Sequence, residues 1–167
     1  MAARGLDALV VSDPSNMAWL TGYDGWSFYV HQAVVVLHDA DPLWWGRGQD
    51  AAGARRTVWM GEDRIAGYPD GYVQSTERHP MQHLAALLRD EGHGRARLGV
   101  ELDNYWYSAA ADRALRASLP DARIEDATAL VNWQRAVKSA PELAYMRRAA
   151  RIVERMHDVI RAEMRPG

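Results

Sequence analysis

The residues able to do chemistry are concentrated in one stretch of this 167-residue chain. Trp19, Tyr23, Trp26, Phe28, Tyr29 and His31 fall close together, and Trp44 and Trp45 follow on the next apolar segment. Phe28 is the only phenylalanine. Aromatic faces attract small organic cations, at about 0.5–2 kcal/mol per good contact. Arg47 and His31 can add recognition of a carboxylate. Gly22 and Gly25 interrupt the aromatic run, which argues for an exposed, shaped loop over a regular strand. Hydrophobic packing is the competing reading of the same side chains.

Other chemistries find less support. The sequence holds no Gly-x-Ser-x-Gly, no Walker loop and no Gly-x-Gly-x-x-Gly, and Gly46-Arg47-Gly48 reads as a tight turn. Cysteine is absent, which removes disulfides, thiolate zinc sites and a cysteine nucleophile. His79 and His83 stand four apart on a predicted helix, a spacing metal helices use. The glutamate of His-Glu-x-x-His is missing, however, and Pro80 makes His79 read as a helix-start residue. The paired carboxylates, Glu62-Asp63, Asp90-Glu91, Glu101 with Asp103, and Glu125-Asp126, mostly mark element ends and turns. Glu101-Leu102-Asp103 follows a strand, where α/β sheets place ligand sites, but capping of the next helix is the preferred expectation.

The elements that must position the aromatic loop alternate. A short helix end closing at Gly5 precedes a buried strand, Leu6 to Ser12, and suggests further residues upstream. Asp13 is the expected N-cap of a helix over Pro14–Leu20 that Gly22 terminates. Ala33–His38 and Leu43–Trp45 read as a hairpin around the Asp41-Pro42 turn. Gly46–Gly53 is polar and glycine-rich, a short mixed segment runs on to Met60, and Gly61–Gly71 reads as irregular. Helices are expected over His79–Glu91 and Tyr105–Ser118, with strands at Leu98–Glu101 and Ala122–Glu125. The alternation predicts an α/β fold with a mixed β-sheet flanked by helices. Ser139-Ala140-Pro141-Glu142 is a capping box opening a long helix. Its apolar residues form two adjoining stripes, Leu143, Met146, Ala150, Val153, Ile160 and Met164 beside Tyr145, Ala149, Ile152, Met156 and Val159. That face is wider than packing on one sheet needs, so the helix is expected to meet further polypeptide, and Pro166-Gly167 reads as its stop signal.

Composition sets the outer bounds. Apolar residues at 48% and charged residues at 25% describe a globular chain able to bury a core. A net charge of -2 gives no pull toward nucleic acid or anionic lipid. There is no membrane-length apolar run and no signal peptide, so a cytoplasmic protein is expected.

Five segments carry a resemblance to a family. Ser15-Asn16-Met17-Ala18-Trp19-Leu20-Thr21-Gly22-Tyr23 resembles the opening of the creatinase/prolidase N-terminal domain. Leu130-Val131-Asn132-Trp133-Gln134-Arg135-Ala136-Val137-Lys138-Ser139-Ala140-Pro141-Glu142 resembles its closing signature and the start of a linker helix. Within the family, Tyr23 to Gln32, Trp44 to Asp50 and Gly67 to Asp70 look most like the ectoine hydrolases. The resemblance implies a ribonuclease H-like N-terminal domain over residues 1–138 and a linker helix over 139–167. That helix would lead to a pita-bread catalytic domain outside this chain. It further implies a homodimeric hydrolase whose catalytic residues, and any divalent metal pair, lie in that second domain, with no catalytic residue, metal ligand or cofactor in this one. By position, Phe28, with His31 nearby, matches residues through which creatinase reaches its neighbour's substrate; Trp26 and Tyr29 join them on their own chemistry, and Arg47 as a carboxylate partner. The implied substrate is a small zwitterion. An N-terminal domain of a Xaa-Pro aminopeptidase or prolidase, or a non-catalytic peptide-binding module, are the alternatives.

Overall fold

A computed structural model describes residues 1–165 and divides the chain into two compact units, Met1–Val131 and a second from Asn132 onward. The strands are β1 (Ala8–Val11), β2 (Ala33–Leu37), β3 (Leu43–Arg47), β4 (Ile65–Tyr68), β5 (Arg97–Val100) and β6 (Arg123–Asp126). The helices are α1 (Pro14–Thr21), α2 (Ala51–Thr57), α3 (Pro80–Asp90), α4 (Ala109–Ser118), α5 (Leu130–Ala136) and α6 (Ala140–Glu163). All six strands form one sheet in the order β4-β3-β2-β1-β5-β6. β1 and β3 both run antiparallel to β2, and the remaining pairs are parallel, so the sheet is mixed as expected.

Every residue of β1 is buried, which is what a strand covered on both faces requires. Ala8, Val10, Val35, Trp45 and Leu98 face α3 and α4, meeting Met81, Leu84, Leu88 and Leu115. Leu9, Val11, Val34 and Trp44 face the other way, against Met17 of α1 and Ala51 and Ala54 of α2. The neighbours Trp44 and Trp45 therefore fill two different cores, each fully buried.

Local signals set the boundaries of α1. Asp13 accepts a hydrogen bond from the Asn16 N–H at 2.9 Å, and Gly22 closes the helix in the left-handed region at φ 79°. Two elements depart from expectation. The end of the polar Gly46–Gly53 stretch and the mixed segment after it form α2, whose Ala51 and Ala54 pack on the sheet although no side chain caps it. The irregular stretch before Gly71 contains β4, an edge strand parallel to β3. A Cβ on Gly67 would lie 2.9 Å from the Gly48 Cα, so the close approach of the β3–α2 turn requires glycine inside this strand. The helix expected from Tyr105 begins at Ala109, because the Ser108 hydroxyl caps it through the Ala111 N–H.

In the second unit, the Ser139 hydroxyl and the Glu142 carboxylate form the expected reciprocal box at the start of α6. α6 has 24 residues, about 36 Å at 1.5 Å per residue. No residue of it is buried, and Tyr145, Ile152, Met156 and Val159 are exposed. The expected stop at Pro166-Gly167 lies outside the described residues.

Candidate functional site

The carboxyl ends of β1, β3, β4, β5 and β6 and the amino end of β2 lie along one side of the sheet, as the register Val11↔Val34, Ala33↔Trp45 and Val10↔Val100 requires. That is where α/β sheets carry their ligand sites. The aromatic loop between α1 and β2 emerges there. Trp26, Phe28 and Tyr29 are 62%, 79% and 55% exposed, against 3% for Tyr23, which packs on Trp44. Their rings touch in series, Trp26 to Phe28 at 5.8 Å and Phe28 to Tyr29 at 5.7 Å between centroids. Packing thus accounts for Tyr23, Trp44 and Trp45, and leaves a continuous aromatic surface on the loop.

His31 sits at the foot of this loop. Its Nδ1 lies 3.3 Å from the Trp106 carbonyl, which can only accept, so Nδ1 carries the proton and Nε2 keeps its lone pair. The His79 ring lies 5.0 Å away at 41°. His79 caps α3: its Nδ1 accepts from the Met81 N–H at 3.2 Å, so the proton of the neutral ring is on Nε2. Burial lowers the pKa of both rings, and the neighbouring His31 helps push His79 down to about 4. Both are neutral at pH 7.

These rings line a cavity of about 150 Å³ together with Tyr29, Tyr68, Tyr72 and Arg78. The Tyr68 hydroxyl donates to the His31 carbonyl at 2.9 Å and so holds the foot of the loop on β4. Tyr68 packs against Trp45, whose indole N–H donates to Nδ1 of His83 at 3.1 Å. His79 and His83 are therefore committed to α3 and to Trp45. Among the described residues no group of three or more His, Asp or Glu side chains could hold a metal ion. The side chains described do not fit a metal pair.

Arg47 is placed at the same side of the sheet, but its guanidinium is occupied. It donates through Nε and one terminal nitrogen to both Asp70 oxygens at 2.8 and 2.9 Å, and holds the Asp70 carboxyl below its ordinary pKa. The structure thus brings Tyr29 and His31 onto one cavity, keeps Trp26 and Phe28 on the adjoining loop, and gives Arg47 a carboxylate from its own chain.

Glu101 corrects the capping expectation. It is 3% exposed and reaches across from the end of β5 to the β1–α1 turn. One carboxylate oxygen accepts from the Ser12 and Asp13 N–H groups, each at 2.9 Å; the other accepts from the Asn16 side-chain amide at 2.5 Å. The Asn104 amide adds a contact at 3.2 Å. Burial raises its pKa against the pull of these donors. Ser108 caps α4, and Glu101 pins two strand ends together.

Sequence reasoning missed Tyr68, Tyr72 and Arg78 as lining groups. Tyr72 and Arg78 lie in a segment without periodicity. Tyr68 sits in the unrecognised β4, where the Gly67-Tyr68-Pro69 pattern signals only a turn.

A mixed six-stranded sheet covered on both faces, with its loops gathered at the carboxyl ends, defines the class of this domain. The chain belongs to the creatinase/prolidase N-terminal domain family, which it matches over residues 1–137. It is 55% identical to the ectoine hydrolase of Halomonas elongata over 168 aligned residues, covering all of this chain and 42% of that enzyme. It is also 45% identical over 157 residues to an uncharacterized hydrolase/peptidase, y4tM, of Sinorhizobium fredii, covering 40% of that protein. The chain thus spans about two fifths of the length of these curated relatives. Two solved structures share the fold. A proline dipeptidase from Streptococcus pneumoniae superposes with a TM-score of 0.65 at 24% identity, covering 82% of this chain and 92% of that one. An X-Pro aminopeptidase from Thermotoga maritima gives 0.75 at 14% identity, over 98% of this chain and 42% of that one.

Proposed function

We propose that this chain is the substrate-recognition and dimerisation domain of an ectoine hydrolase-like enzyme, acting in the cytoplasm as a homodimer. The observation that carries the reading is the 55% identity to ectoine hydrolase along the whole of this chain. The chemistry of the loop agrees with it. Ectoine joins a delocalised cyclic amidinium to a carboxylate. Stacked aromatic surface suits the flat cation, and Trp26, Phe28 and Tyr29 present such a surface with few packing duties of their own. His31, neutral and braced by Trp106, offers a lone pair to a ring N–H. In this reading the domain presents its loop to the active site of the neighbouring subunit.

Ring opening adds water across the amidine carbon and breaks one ring C–N bond, and needs a base, or a metal-held water, at that carbon. The hydrolytic groups, including any divalent metal pair, belong to the rest of the enzyme. The domain's contribution is to hold the ring and exclude water from its faces.

The test is turnover by the full-length protein, with and without chelator, on ectoine and on a Xaa-Pro dipeptide. Ring opening of ectoine is expected, together with at least a tenfold loss of kcat/KM in Phe28→Ala. Cleavage of the dipeptide alone would replace the reading with a Xaa-Pro peptidase. No turnover of either, with tight peptide binding, would make the protein a non-catalytic peptide binder.

A further inference from the structure

The predicted carboxylate partner, Arg47, is already paired, yet the same side of the sheet holds a second arginine in a different state. Arg78 lines the cavity of His31 and His79 from the loop before α3. Its guanidinium rests over the Tyr72 ring at 5.9 Å, and among the described residues it pairs with no carboxylate. A stacked guanidinium keeps its in-plane N–H groups available for a bidentate partner. The two histidines sharpen the chemistry. Their Nδ1 atoms are used by Trp106 and Met81, so the remaining ring nitrogens are an acceptor on His31 and a donor on His79. The walls therefore combine one unneutralised cation, one neutral donor, one neutral acceptor and aromatic faces. No wall residue of the cavity is an aspartate or glutamate.

We infer that the cavity between the aromatic loop and the loop before α3 is a carboxylate-binding subsite, with Arg78 as its cation and His79 Nε2 as a second donor. The carboxylate class comes from these walls alone. That the carboxylate is carried on a cyclic amidinium rests on the function proposed above, with His31 Nε2 then free for a ring N–H. The volume of about 150 Å³ admits a carboxylate and a small ring.

The test uses the full-length protein and chemical protection. Diethyl pyrocarbonate acylates the lone-pair nitrogen of a neutral imidazole, which is the free Nε2 on His31 but the capping Nδ1 on His79, so His31 is the reporting ring and mass spectrometry reads it apart from the other histidines. Ectoine and acetate are expected to slow acylation of His31. The carboxylate-free analogue 2-methyl-1,4,5,6-tetrahydropyrimidine is expected to protect His31 far less at the same concentration. Arg78→Gln is expected to weaken protection by ectoine about tenfold or more, and Arg78→Lys to restore part of it. Equal protection by the analogue, or protection unchanged in Arg78→Gln, would overturn the subsite. The two readings separate cleanly. Ectoine turnover without any protection removes the subsite and leaves the proposed function. Acetate protection without ectoine turnover does the reverse.

Discussion

Replacement of Glu101 by alanine is the sharpest probe of how this domain holds its site side together. The carboxylate is the common acceptor for the Ser12 and Asp13 amides and for the Asn16 side chain. Each donor left buried without a partner costs about 1–3 kcal/mol. Three such losses sum to roughly 3–9 kcal/mol if nothing replaces the acceptor. The pocket of Leu102 to Tyr105 lies beside this residue, so water can enter once the side chain is cut and recover part of the loss. The expected destabilisation is then about 3–5 kcal/mol, or about 10–15 °C in Tm for a unit of this size. Glu101→Gln keeps one acceptor oxygen and turns a donor toward donors, so about 2 kcal/mol is expected. Urea titration followed by far-ultraviolet circular dichroism measures both. A cost below about 1 kcal/mol for Glu101→Ala, the size of a surface substitution, would refute the idea that this carboxylate ties β5 to the β1–α1 turn.

Phe28→Ala removes a side chain that is mostly in solvent, so it should leave the unfolding midpoint within about 0.5 kcal/mol of wild type while lowering turnover of the full-length protein. His79 makes a pH prediction. Its folded pKa of about 4 lies below the ordinary value of 6.5, so the folded state binds fewer protons between the two; its contribution is full above about pH 6.5 and is lost as pH falls toward 4. Allowing for solvent screening of a half-buried ring, the loss is roughly 1–2 kcal/mol. His79→Asn, which keeps a good N-cap without a titrating group, should flatten that part of the stability–pH curve; an unchanged slope would contradict the assignment. Gly22→Ala should cost about 1–2 kcal/mol by thermal melting. The residue sits at φ 79°, and a Cβ there would stand 2.9 Å from the Thr57 carbonyl oxygen.

The sequence was legible where local physics decides. Asp13 and Gly22 bound α1, Ser139 and Glu142 open α6, and the apolar runs at β1, β2 and β3 need no distant partner to be recognised. It was illegible where position in the sheet decides. β4 carries a glycine in its middle because Gly48 crowds it, and only the pairing with β3 makes Ile65–Tyr68 a strand. α2 forms around Gly53 because Ala51 and Ala54 find a surface to cover. Glu101 looked like a cap because its true donors are nearly ninety residues away in the chain. The exposed aromatic loop was legible from its glycines. The state of Arg47 was not, since Asp70 reaches it only through the parallel pairing of β3 and β4.

Adjacent tryptophans on opposite faces of β3 give the molecule two internal lamps. Trp45 donates its indole hydrogen to His83, whereas among the described residues the buried Trp44 indole nitrogen has no hydrogen-bond partner, so the two should emit at different wavelengths. Acidification that charges His83 should quench Trp45 and leave Trp44 bright. The chain has seven tryptophans, so variants that keep only Trp44 or only Trp45, with phenylalanine at the other six positions, let each side of the sheet be watched separately as it melts, and any lag between them would reveal which layer loosens first.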